Sequence, residues 1–168
     1  MKKTLTLAPV AIPVWQEVWK KNRLRLKEPR DYFDALTLLG WDITKPATEM
    51  IYDPSFNLSE SIRVEKVALV SPAGLNIQDT RIRLPHFLMF GFKQKLKKSG
   101  DLTLDLCMEN RVWPKVMPIY LAMDPIKDLH GIPHIFKIYG NEKKLDAVPC
   151  ENDTTFYRGQ HFILRLDE

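Results

Sequence analysis

Apolar positions along this chain recur with two different periods, and the change between them divides it. Between Pro13 and Leu39 the spacing is mostly helical, whereas beyond residue 60 it is mostly alternating. Val14, Trp15, Val18 and Trp19 fall at i, i+1, i+4 and i+5, which predicts a helix over about 13–21. Pro13 suits its first position, and Asn22 suits the left-handed residue that ends it. Tyr32, Phe33, Leu36 and Leu39 predict a second helix over about 29–39, stopped at Gly40, with Trp41 placed to pack back on the last turn. Thr4-Leu5-Thr6-Leu7 alternates as a strand does, and so does Arg23-Leu24-Arg25-Leu26-Lys27, which reads as an extended arm.

From Asp42 to Glu60 the pattern is that of a loop, with turns at Lys45-Pro46 and Asp53-Pro54-Ser55. Strands are then expected at Ile62–Val70, Leu75–Leu84, Phe87–Leu96, Leu102–Met108, Val116–Met123, His134–Tyr139 and His161–Leu166. Turn signals separate them at Ser71-Pro72-Ala73-Gly74, Lys98-Ser99-Gly100-Asp101, Asp124-Pro125 and Gly140-Asn141. Phe87 to Glu109 reads as a hairpin. Phe90, Phe92 and Leu96 share a face on its first strand, and Leu102, Leu104, Leu106 and Met108 share one on its second. Asp105, Cys107 and Glu109 are then expected outside, facing Lys93, Lys95 and Lys97. The fold class that follows is α+β: mainly antiparallel sheet or a partly closed barrel, with two short N-terminal helices. One domain over residues 1–168 is expected, with an N-terminal part over 1–41 and a β-rich body over 60–168.

Composition narrows the class without naming a chemistry. At 168 residues with 45% hydrophobic and 27% charged side chains, the chain is neither collagenous, disordered nor a membrane span. The 7 glycines supply no phosphate-cradling loop and no dinucleotide fingerprint, so no cofactor is expected. Cys107 and Cys150 stand 43 residues apart with no second Cys at metal spacing, which excludes a zinc ribbon and fits a reducing compartment. Met1-Lys2-Lys3 and the apolar run after it resemble a signal peptide, but Pro9 and Pro13 break the run and no small-x-small site follows. A cytoplasmic protein without membrane contact is the expectation.

Charge is the best functional signal. The net charge is +4, and it is concentrated: Lys20, Lys21, Arg23, Arg25, Lys27 and Arg30 stand against Glu28 alone. Outside this stretch 19 cations meet 20 anions. A dense cationic arm beside two tryptophans matches what phosphate neutralisation and base stacking require. Those six cations are therefore the candidate nucleic-acid-binding residues of a small, non-enzymatic binding protein. An acidic protein surface would attract the same arm, so a structural or assembly subunit is the alternative.

Other constellations are weaker. His130 and His134 are four apart, but Gly131 and Pro133 oppose the helix that would aim both at zinc, so no metal site is expected. A histidine hydrolase built on His86, His130, His134 or His161 is a third reading, and Arg81 with His86 fits only a loose ribonuclease pattern.

Overall fold

The computed structural model describes residues 14–16, 28–58, 65–109 and 117–166. Four helices occur among them: α1 (Pro29–Leu38), α2 (Lys45–Ile51), α3 (Leu84–Lys93) and α4 (Thr103–Glu109). The strands are β1 (Val14–Gln16), β2 (Asp42–Ile43), β3 (Glu65–Val70), β4 (Arg81–Arg83), β5 (Leu96–Lys97) and β6 (Ile119–Leu121). After them come β7 (Ile126–Lys127), β8 (Pro133–Tyr139), β9 (Lys144–Pro149), β10 (Thr155–Tyr157) and β11 (His161–Leu166). Among the described residues nine strands form one sheet in the order β1-β3-β11-β6-β8-β9-β2, with β5 joined to β11 and β7 to β8. Strands β4 and β10 make a separate ribbon.

The chain is thus α+β, as expected, but the sheet is an open path and not a barrel. It is also mixed, because β11 runs parallel to β6 and β2 runs parallel to β9. A hairpin announces itself by a local turn. Parallel neighbours are joined through long crossovers and leave no local mark.

Register divides the sheet into two faces. Phe136, Ile138, Leu145, Ile119, Leu121, Ile163 and Leu69 point to one side and are buried there. Phe56, just after α2, packs edge-on against Phe136 with centroids 5.5 Å apart. The opposite face carries Phe162 and Leu164, which lie under α3: Phe87 stacks on Phe162 at 4.4 Å. The β4–β10 ribbon covers the same area through Phe156, 5.1 Å from Phe162 and 5.2 Å from Tyr120.

Helix α1 forms where expected. Pro29 opens it, the Glu28 backbone N–H donates to Asp31 Oδ2 at 3.2 Å, and Gly40 follows it at φ +86°. Trp41 folds back and is buried, its N–H donating to the Leu36 carbonyl.

Several expectations are corrected. Val14–Gln16 is a strand paired with β3, not the start of a helix; valine and tryptophan both favour strands, and a pairing partner overrides a short helical stripe. The rest of that helix, the Thr4–Leu7 strand and the 23–27 arm lie outside the described residues. The 42–60 loop contains β2 and α2, because Pro46 sits in the first turn of α2, where proline needs no N–H, and does not mark a turn.

The Phe87–Glu109 hairpin is instead two helices. Leu84, Phe87, Leu88 and Gly91 are the buried positions of α3, spaced i, i+3, i+4 and i+7, and Pro85 lies in its first turn. Thr103 to Cys107 of α4 are all buried, Asp105 included, so alternating hydrophobicity there does not distinguish strand from helix. The opposed charges also separate: Lys98 pairs with Asp124 at 2.8 Å and Asp101 with Arg165 at 2.6 Å. The Leu75–Leu84 strand shrinks to β4, while β7, β9 and β10 were not anticipated.

Two glycines make the packing testable. A Cβ on Gly100 would sit 2.6 Å from the Met123 Cβ, whereas one on Gly91 would meet the Leu164 methyl at 3.0 Å and the Leu96 Cβ at 3.8 Å. Gly100→Ala is expected to cost about 1–3 kcal/mol. Gly91→Ala should be close to neutral, because helix propensity offsets the tighter contact by about 1 kcal/mol. Urea unfolding midpoints of the two variants check this ordering.

Candidate functional site

Beyond the area under α3, the same sheet face continues onto β6, β8 and β9, where polar side chains replace the core. Lys137 on β8 lies in register with Tyr120 on β6 and with Asp146 on β9. Tyr139, two residues further on β8, lies opposite Lys144. Because alternate residues of a strand share a face, all five point the same way. Lys137 Nζ sits 5.1 Å from the Tyr120 ring centroid and 5.0 Å from that of Tyr139, and Lys144 Nζ sits 5.7 Å from Tyr139.

This belt runs on into the ribbon. Gln160 Nε2 donates to the Tyr120 hydroxyl at 2.9 Å, and its Oε1 accepts the Tyr157 backbone N–H at 2.6 Å. Arg81 lies over the Tyr157 ring at 4.8 Å and donates to its hydroxyl at 2.8 Å. Arg83 points outward two residues along, on the exposed side of β4. Lys144, Tyr139, Lys137, Tyr120, Gln160, Tyr157 and Arg81 therefore form one connected cation–tyrosine path.

Cation–π contacts of this kind fix a cation without neutralising it, at about 0.5–1 kcal/mol each at exposed sites. Burial works against the Lys137 ammonium, but its electrostatic interactions with the Tyr139 and Tyr120 side chains outweigh it, so its pKa lies above the ordinary lysine value. The lysine stays charged. Two carboxylates oppose the belt's charge: Asp42 beside Lys144, and Asp146, which accepts from Thr44 Oγ1 at 2.9 Å.

Of the six cations singled out in the sequence, Arg30 is exposed on α1, and Lys20, Lys21, Arg23, Arg25 and Lys27 lie outside the described residues. The belt residues were not anticipated. Lys137 and Tyr139 are legible as one face of an expected strand, but Lys144 lies outside every expected strand, and Tyr120 and Tyr157 join them only through tertiary structure.

The histidines do not assemble into a reactive centre. Asp128 Oδ1 accepts the backbone N–H groups of His130 at 2.8 Å and Ile132 at 2.9 Å, closing a turn in which Gly131 takes φ +79°. His134 Nδ1 lies 2.8 Å from the Ile132 carbonyl and 3.9 Å from Asp128 Oδ2, and the ring is buried. His86, on α3, and His130, in the Asp128 turn, are exposed, and burial lowers the pKa of His161. No group of three or more metal-ligating side chains occurs among the described residues. Both cysteines are buried free thiols; burial pushes Cys107 well up and Cys150 to about 11, so neither is an activated nucleophile. No helix among the described residues is long and apolar enough to cross a membrane.

Comparisons of the chain with protein-family models, curated proteins and solved structures returned no match.

The Asp128 turn carries a pH dependence. The Ile132 N–H bond is the main cause holding the Asp128 carboxyl below the usual carboxylate range, opposed by burial and aided by His130 and His134. A carboxyl with a depressed folded pKa stabilises above its unfolded pKa of about 3.9, and that contribution disappears as pH falls through the folded value. Asp128→Asn should therefore be less stable than the parent above about pH 5, with the gap closing under acid. Urea unfolding across a pH series measures it.

Proposed function

We propose that the protein is a small non-enzymatic binding protein that contacts a nucleic-acid backbone. The observation that carries this reading is the cation–tyrosine belt, in which Lys137, Lys144 and Arg81 are held against tyrosine rings. Cations neutralise phosphates without reading sequence, and exposed aromatic faces such as Tyr157 accept unpaired bases. The basic stretch from Lys20 to Arg30 supports the same reading from the sequence, because it adds six cations to a chain otherwise near neutrality. A cytoplasmic site of action fits two buried, unpaired thiols. No base-reading side chains stand out, so binding is expected to be indifferent to sequence.

A second reading, an assembly subunit docked on another protein chain, is favoured by one different observation. Leu38 is 89% exposed beside exposed Leu39, shortly before β2, which ends the sheet among the described residues. Light scattering that finds a stable protein complex or self-association, with no nucleic acid copurifying, would favour it.

Salt titration of binding to a labelled duplex tests the first reading. If the arm engages five phosphates, log K should fall against log salt with a slope of about −4 to −5. Arg23→Glu with Arg25→Glu should abolish binding while the circular dichroism spectrum stays unchanged. Lys137→Gln with Lys144→Gln should make the slope shallower by about 1–2. A slope near zero sinks the proposal.

A further inference from the structure

A second site lies away from the belt. Between α3 and the 150–152 segment is a cleft of about 280 Å³. Its floor is apolar: Leu84, Leu88 and Phe92 from α3, with Pro85 and Pro125 beside them. Its rim is charged in both senses. Lys98 stands on one wall, ion-paired at 2.8 Å to Asp124, whose side chain is 79% exposed. Glu151 and Asn152 complete the mouth. The Lys98 ammonium also lies 5.9 Å from the Phe92 ring, so the charged rim and the apolar floor meet at one residue.

The size limits the ligand. A volume near 280 Å³ is just below the ~300–1,000 Å³ range of ordinary small-molecule sites. At ~30 Å³ for each water-sized group it takes about nine non-hydrogen atoms. The charges limit it further. Because Lys98 and Asp124 pair with each other, a simple carboxylate would compete with Asp124 for Lys98 and be repelled by Glu151, and a simple amine would compete with Lys98 for Asp124. A zwitterion satisfies both: its ammonium goes toward Asp124 and Glu151, and its carboxylate toward Lys98 and the Asn152 amide. The apolar floor then requires a hydrophobic substituent on the same small molecule.

We infer that this cleft binds a free α-amino acid with an apolar side chain. The buried Cys150 thiol, with its pKa pushed to about 11, lines the cleft as an unreactive surface, so the site binds without forming a covalent bond. A residue within a peptide lacks one or both charges and does not fit the rim.

The probe is L-leucine, titrated into the full chain and followed by NMR chemical shifts. Saturable shifts at Leu84, Leu88, Phe92 and Lys98, with Kd of about 1 mM or tighter, are expected. Glycine, 4-methylpentanoate, isopentylamine and N-acetyl-leucine amide should each bind at least about tenfold more weakly. Lys98→Met should weaken leucine by a similar factor, and Phe92→Ala, at a half-exposed position that folding tolerates, should weaken leucine but not glycine. Equal binding of all five compounds, shifts confined to other regions, or no saturation would each overturn the inference.

Discussion

Phe162 stands in the middle of β11, and three other rings close around it: Phe87 from α3 at 4.4 Å, Phe156 from β10 at 5.1 Å and Tyr120 from β6 at 5.3 Å. Its strand is hydrogen-bonded to β3, β5 and β6. This one side chain therefore joins the helix, the ribbon and the sheet. Rings at these separations contribute about 0.5–1.5 kcal/mol per pair beyond the area they bury. The candidate face depends on the same cluster, because Tyr120 belongs to it on one side and to the cation belt on the other. Its ring faces Phe156 and Phe162, while its hydroxyl meets Gln160 and its face meets Lys137.

A belt built in this way is preorganised. The lysine ammonium groups and the Arg81 guanidinium lie against rings that the core or the ribbon positions, so the freedom of these cations is already reduced. Groups ordered in advance lower the ordering cost of any binding they take part in. The Asp128 turn serves the fold differently, since its hydrogen bonds commit His134 to a carbonyl and leave the buried ring away from solvent.

What the sequence made legible follows from how local each feature is. Helix α1 carries its own proline, apolar stripe and terminal glycine within about twelve residues, and β8 and β11 are strands of six or seven residues with β-branched cores. Helices α3 and α4 were misread because Phe90, Phe92 and Leu96, like Leu102, Leu104, Leu106 and Met108, satisfy a two-residue period by accident. Burial on nearly every side of α4 removes the polar face that would identify a helix. The parallel pairs and the belt escaped for a different reason. Tyr120, Lys137 and Tyr157 are neighbours only because β6, β8 and β10 are brought together across the chain, and no spacing in the sequence encodes that.

The most direct measurement is an NMR titration of the protein with a short single-stranded oligonucleotide at low salt. If the belt is the binding surface, the largest shifts will cluster at Tyr120, Lys137, Tyr139, Lys144 and Tyr157 and will reverse when salt is added. Shifts that avoid these residues, or that persist unchanged at high salt, would contradict the account.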